Sequence, residues 1–221
     1  MTSTPLKKIN PIILEITSDF ICPWCFVAET RLKQAISQFQ LESEIQLIWR
    51  PFELNPDMPD LGIDRKAYRS QKFGSWTYSQ QLDAKTIQAT LDDDIQFRYD
   101  LMNVTPNTLK AHRLTMYAAE QQRATEMAER ILRAYFSEGQ NISDAEILSD
   151  LASDVGMEKE QVRDYLLSGG GIQEVRELER KAATSGIRGV PSIRVGTNLI
   201  SGAQSVATYR TAIQQLMEAE S

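Results

Sequence analysis

Two cysteines stand three residues apart in Cys22-Pro23-Trp24-Cys25, and they are the only cysteines in the 221-residue chain. A Cys-X-X-Cys pair suits redox chemistry: one thiolate attacks a disulfide, and the second thiol then resolves the mixed disulfide. The apolar run Ile12-Ile13-Leu14-Glu15-Ile16 reads as a buried strand, and Ser18-Asp19 as the turn that follows it. Downstream, Leu32, Ala35, Ile36 and Phe39 recur at i, i+3, i+4 and i+7. That spacing predicts a helix beginning near Phe26, with Cys22 at its N-terminus. Unpaired N–H groups and aligned peptide dipoles at a helix start favour a negative sulfur. A free cysteine titrates near 8.5, and in such sites the value falls to roughly 3.5–7.5. Cys22 is therefore expected to be the nucleophile and Cys25 the resolving thiol. Pro23 suits the first helical position because its fixed φ is pre-organised, and Trp24 is expected to shield one side of the sulfurs.

Three other readings of the pair compete. A structural disulfide closing so small a ring would stabilise the chain by only about 2 kcal/mol. A zinc site needs two more ligands, yet no other cysteine exists and His112 is the single histidine, so no metal is expected. Two buried cysteines that happen to be neighbours form the third, since free cysteine is often simply buried.

The segment Ser18-Asp19-Phe20-Ile21-Cys22-Pro23-Trp24-Cys25 resembles the active-site stretch of DsbA-like thioredoxin-fold proteins, specifically the FrnE-like branch. Pro106-Asn107-Thr108-Leu109-Lys110-Ala111-His112-Arg113 is similar to that branch's N-T-x-x-A-H-R signature. Gly189-Val190-Pro191 looks like its cis-proline loop, and Ser201-Gly202-Ala203-Gln204 resembles its S-G-A-Q segment. The resemblance runs from about Ile12 to about Met217. Where the family often has an aromatic residue soon after the cis-proline, this chain has Ile193 and Arg194.

The resemblance implies an α/β thioredoxin fold with a large all-helical insertion, and thiol–disulfide oxidoreductase activity on protein thiols and disulfides. It also implies that the Pro191 loop sits against Cys22, with the Val190 backbone free to pair with an extended partner by strand addition. Read without the resemblance, Pro191 is an ordinary strand-entry proline. His112 and Asn107 belong to the signature and are read as supporting residues; histidine is the usual proton shuttle, but a lone one in a helix is more often structural. A helix starting at Thr105 would put Asn107 and Thr108 in its first turn, bridging insertion and sheet. Relatives of the fold include glutathione-dependent isomerases and kappa-class transferases, in which the first cysteine position is typically serine. Small-molecule glutathione chemistry is thus one alternative function, and a chaperone-like peptide-binding module another.

A second strand is expected over Ile45–Trp49. Residues 1–52 and 187–221 then form the thioredoxin-like part, and residues 53–186 a helical insertion without a strand. Helices are expected over Asp64–Lys72, Ser75–Tyr99, Pro106–Gln121, Thr125–Ser137, Asp144–Val155, Glu158–Leu167 and Ile172–Ser185. Thr105-Pro106 reads as an N-cap pair, and Gly139, Gly156 and Gly186 as helix stops. Met102, Met116, Met127, Tyr117, Tyr135 and Phe136 are expected in the insertion's core. After Pro191, Ser192–Val195 and Leu199–Ser201 read as a hairpin, and a final helix over Ser205–Glu218 places Val206, Tyr209, Ile213 and Leu216 on one face.

Composition narrows function by exclusion. A net charge of −6, a pI near 5.0 and no basic stripe argue against a nucleic-acid partner. Asp92-Asp93-Asp94 lacks the alternating spacing and loop glycine of a calcium site and reads as a solvated helix face. Gly169-Gly170-Gly171 lacks the Gly-Lys-Ser/Thr of a phosphate loop and reads as a connector or hinge. Met1–Asn10 has no apolar stretch of signal-peptide length, and nothing approaches a membrane span, so a cytoplasmic home is expected. Against a glutathione poise of about −260 mV, a dithiol as oxidising as about −120 mV would stand reduced by about 6.5 kcal/mol. Reductase or isomerase work is therefore expected, with no tightly bound cofactor and glutathione as redox partner.

Overall fold

A computed structural model describes residues 11–39 and 45–219 of the chain; Met1–Asn10, from which the cytoplasmic expectation was drawn, lies outside them. The chain opens with β1 (Ile12–Ser18), α1 (Pro23–Ile36) and β2 (Ile45–Pro51). β1 and β2 pair in parallel, Ile16 opposite Trp49, so α1 is the crossover between them. The chain returns to this sheet only with β5 (Ser192–Val195) and β6 (Asn198–Ser201), and closes with α9 (Val206–Ala219). The sheet order is β2-β1-β5-β6, with β5 antiparallel to both neighbours. This is the thioredoxin arrangement.

Side-chain alternation explains which face of the sheet is covered. Ile12, Leu14 and Ile16 are buried, and α1 and α9 contribute Leu32, Ala35, Tyr209 and Ile213 to the same core. The other face of β1 is only partly covered: Ile13 is exposed, and Glu15 pairs with Arg50 at 2.5 Å and Arg194 at 3.5 Å. The hairpin turn is Gly196-Thr197, with Asn198 opposite Val195, so it is one residue tighter than expected.

Between β2 and β5 run α2 (Arg65–Phe73), α3 (Trp76–Ala89), α4 (Leu109–Glu120), α5 (Ala124–Phe136), α6 (Ala145–Asp154), α7 (Lys159–Leu167) and α8 (Ile172–Thr184). This segment shares the sheet's core. Phe26 of α1 stacks on Phe136 at 5.9 Å and meets the edge of Phe97, while Trp49 Nε1 donates to Thr125 Oγ1 at 3.2 Å. Met102, Met127, Tyr135 and Phe136 are buried as expected; Met116 and Tyr117 are half-buried.

Five expectations need correction. First, the segment carries a two-residue antiparallel ladder, β3 (Ile63–Asp64) with β4 (Val104–Thr105). Such short strands leave no periodicity in sequence, but Gly62 marks the approach: a Cβ there would lie 2.5 Å from the Thr105 carbonyl. Second, α3 stops at Ala89 rather than Tyr99. Near this end the Thr86 and Thr90 hydroxyls bond back to carbonyls one turn earlier, a pattern that weakens a helix. Third, the aspartate run lies beyond that helix, and Asp93 is held by Arg31 of α1 at 2.7 Å instead of facing solvent. Fourth, α4 starts at Leu109 with Thr108 as N-cap. Asn107 lies before the helix, where its Oδ1 accepts from Leu109 N at 2.9 Å and its Nδ2 donates to Met58 O at 2.7 Å. Its tie is thus to the loop after β2, not to the sheet. Fifth, the glycine triplet is the connector between α7 and α8, one of its two readings, but it is pinned and not a hinge. The buried guanidinium of Arg113 donates to the carbonyls of Tyr165, Leu166, Ser168 and Gly170.

Candidate active site

Cys22 is the N-cap of α1, with extended backbone (φ −92°, ψ 110°) and Pro23 directly after it. Its N–H donates to Asp19 O at 3.1 Å and its carbonyl accepts from Cys25 N at 3.0 Å, which closes the first turn around the motif. No side-chain oxygen caps this helix; the Cys22 sulfur occupies that place. Both cysteines are free thiols, 6% and 2% exposed.

The two thiols are shifted in opposite directions. A hydrogen bond from the Cys25 thiol pulls the Cys22 thiol below its ordinary pKa, and the N–H groups of Cys25 and Trp24 add to that effect against the cost of burial and the Asp19 charge. Burial pushes Cys25 well above the ordinary thiol range, and the neighbouring Cys22 sulfur raises it further. A thiol that ionises more readily in front and one that holds its proton behind it are the asymmetry that disulfide exchange needs. Trp24 is 40% exposed, at the mouth of the motif.

The loop before β5 completes the front of the site. The Val190–Pro191 peptide is cis, and Val190 O lies 3.7 Å from Cys22 Sγ across 168 residues of sequence. That contact uses the Cys22 S–H as donor, so it favours the neutral thiol. Gly202 N donates to Pro191 O at 2.8 Å, and Ser192 Oγ to Gly189 O at 2.9 Å, fixing the loop from both sides. Gln204 then accepts at its carbonyl from Arg31 and donates its N–H to the Tyr209 hydroxyl. Ser201-Gly202-Ala203-Gln204 is thus the brace that ties the loop to α1 and α9.

The profile of the DSBA-like thioredoxin domain matches residues 13–214. The chain belongs to that family. The uncharacterized protein YwbO from Bacillus subtilis (strain 168) is 29% identical over 202 residues, which cover 90% of this chain and 94% of that protein. The crystal structure of a probable DsbA oxidoreductase, SCO1869 from Streptomyces coelicolor, superimposes with a TM-score of 0.84 at 27% identity, covering 94% of this chain and 90% of that one. The cytosolic disulfide reductase DsbM from Pseudomonas aeruginosa, solved with GSH, is 18% identical and shares the fold: TM-score 0.63, over 95% of this chain and 98% of that one.

Behind the DSBA-like motif lies a buried polar group that the sequence did not announce. Asp19 is fully buried. Its N–H points at Cys25 Sγ from 3.5 Å, and its Oδ2 accepts from Leu54 N at 2.7 Å. Its Oδ1 has no hydrogen-bond partner and faces the equally unpartnered Nε2 of His112 at 3.5 Å. The His112 ring packs against Phe20 at 4.9 Å. The Ser18 hydroxyl, also buried and unpartnered, sits against Cys25 and lowers its pKa slightly against the larger effect of burial. Glu53 lies just past β2 with its carboxyl wholly buried; Oε2 meets Arg176 of α8 and Oε1 is unpartnered. Burial lifts Glu53 to about 7. His112 was legible through the signature; Ser18 and Asp19 were read as a turn and as the start of the active-site stretch, without a role of their own, and Glu53 carried no signal. Among the described residues no cluster of histidine, cysteine and carboxylates could hold a metal ion, and no helix is long and apolar enough to cross a membrane.

Proposed function

We propose that the protein catalyses thiol–disulfide exchange on the disulfides of other proteins, with Cys22 as nucleophile and Cys25 as resolving thiol. The observation that carries this is the placement of Cys22 Sγ, at the helix N-cap and 3.7 Å from the carbonyl of Val190. An extended client that pairs with the Val190 backbone takes over that carbonyl, and the Cys22 thiol, losing its acceptor, ionises more readily. Cys22 thiolate then attacks the client disulfide: one client sulfur leaves as thiolate and the other is bonded to Cys22. Cys25, once deprotonated, attacks Cys22, expels the second client thiolate and closes the Cys22–Cys25 disulfide. The client has gained two electrons and the dithiol has lost them; external thiol, glutathione by preference, restores it.

Glutathione as the restoring thiol, and a reducing, cytoplasmic setting, are supported by the fold shared with a cytosolic reductase solved with GSH. No tightly bound cofactor is required. The four motifs support placement in the FrnE-like branch, and the thioredoxin-like parts at 1–52 and 187–221 carry both sulfur and loop. Turnover of a small glutathione conjugate is the second reading, and it leaves Cys25 without a task.

Insulin reduction coupled to glutathione tests the proposal. Cys22→Ser and Cys25→Ser are each expected to fall to the uncatalysed rate, and Cys25→Ser to accumulate a mixed disulfide with its client. Equal rates for the wild type and both variants sink the dithiol mechanism. A Cys22–Cys25 potential above about −150 mV contradicts a housekeeping reductase.

A further inference from the structure

Charge is distributed unevenly along this chain. The net charge is −6, yet residues 180–217 hold Arg180, Lys181, Arg188, Arg194 and Arg210 and not one aspartate or glutamate. That stretch carries the end of α8, the cis-proline loop, the β5–β6 hairpin and most of α9. Three of its cations are engaged with carboxylates outside it: Arg180 and Lys181 with Glu177 at 2.5 and 3.6 Å, and Arg194 with Glu15 at 3.5 Å. Arg188 is exposed and has no ion pair among the described residues.

The loop is fixed at alternate residues. Ile187 is buried and its N–H donates to Ala182 O at 3.0 Å; Gly189 O accepts from Ser192 Oγ at 2.9 Å; Pro191 O accepts from Gly202 N at 2.8 Å. Arg188 and Val190 stand between these anchors. The Val190 carbonyl lies 3.7 Å from Cys22 Sγ. Two residues of chain span at most about 7 Å, so Arg188 is within reach of whatever docks on Val190 and meets that sulfur.

We propose that Arg188 sets the substrate class of this site, favouring disulfides whose reacting cysteine stands beside a carboxylate. The inference rests on the dithiol reading above and names which disulfides that dithiol takes. Such disulfides are the ones a bare thiolate reaches least well, because their carboxylate approaches an anionic sulfur on an acidic protein and like charges repel. An unpaired guanidinium beside the docking residue reverses the sign locally, and its planar N–H fork suits a carboxylate. Trp24, exposed at the mouth of the motif, brings no charge of its own. The carboxylate has two sources, an acidic residue of a protein client or the carboxylates of a glutathionyl group, and Arg188 meets the same chemistry in both. It governs which disulfide is attacked; the exchange itself stays with the two sulfurs.

Two pairs of probes test this. The first is a peptide dimer joined by one disulfide, with glutamate next to each cysteine, against the same dimer with glutamine. The second is oxidised glutathione against its glycyl diethyl ester. The readout is the ratio of second-order rate constants within each pair, followed as mixed-disulfide formation in the Cys25→Ser background at low ionic strength. A ratio cancels the active fraction of each preparation, so a partly unfolded variant still gives an answer. The acidic member is expected to react about threefold faster, as one exposed ion pair allows. Arg188→Gln is expected to bring the ratio to about one, Arg188→Glu to invert it, and salt at about 1 M to erase it in the parent protein. A preference in the peptide pair gives protein clients as the source; one confined to the glutathione pair gives glutathione. A ratio of one in both pairs, or a ratio that Arg188→Gln leaves unchanged, overturns the inference while the dithiol reading stands. Failure of that reading shows separately, as insulin reduction that survives Cys22→Ser.

Discussion

Two buried glutamates mark the two seams where the helical insertion meets the sheet, and only one of them adjoins the chemistry. Glu29 lies on α1 against α5, beside Glu129 and Lys33; burial first and the like charge of Glu129 second lift it to about 8. Glu53 lies between β2 and α8, lifted to about 7 by burial against the pull of His112 and Arg176. The same desolvation acts at both. At the α1–α5 seam it meets a second carboxylate and a mostly exposed lysine, 2.5 Å from Glu129, so its result is a stored proton. At the β2–α8 seam it meets a histidine and an arginine, so its result is a group balanced between two states. Desolvation sets how far a carboxyl departs from its usual range; the charges beside it decide whether the departure can be used.

The comparison breaks if packing at the α1–α5 seam governs the sulfurs. Phe136→Ala removes the ring stacked on Phe26 and is expected to cost about 4 kcal/mol of stability in denaturant unfolding. The Cys22 alkylation profile should not change; a shifted profile would merge the two seams into one device.

Glu29→Gln sharpens the contrast through pH. Glu29 is raised in the folded state, so the folded protein holds a proton that the unfolded chain releases above about 4.5. Its contribution is therefore fully present below about pH 4.5 and is lost as pH rises through about 8. Between about pH 5 and pH 9 the wild type is expected to lose on the order of 3 kcal/mol from this group, partly shared with Glu129. Glu29→Gln should flatten that slope and leave insulin reduction at the wild-type rate. An unchanged slope would mean that Glu29 ionises as freely in the folded chain as in the unfolded one. The smallest effect belongs to Trp49, whose Nε1 spans from β2 to Thr125 of α5. Trp49→Phe should cost about 1 kcal/mol in thermal unfolding, with insulin reduction retained.

The front of the site was legible because its information is local. Cys22 at a helix start follows from the apolar spacing of Leu32, Ala35 and Ile36, and the Val190-Pro191 loop and Ser201–Gln204 brace each lie within a short motif. The back was not. Asp19 and His112 come together through the placing of α4, Glu53 is buried against Arg176 of α8, and a single acid after a strand ordinarily reads as solvent-facing. Asn107 shows the same limit on a smaller scale: the signature flagged it, but a helix beginning at Thr105 fits the sequence as well as the turn it actually forms with Leu109. Asp93 was misread for a related reason, since its partner Arg31 lies on the crossover helix α1, far from it in sequence.

The α7–α8 corner carries a constraint on substitution. One flat guanidinium at Arg113 reaches four backbone oxygens. Lysine brings the same charge but only three N–H donors on one nitrogen, aimed from a point. Charge-preserving exchange at this position therefore strands at least one oxygen away from water, and the corner tolerates a change of sequence around Arg113 far better than a change at it.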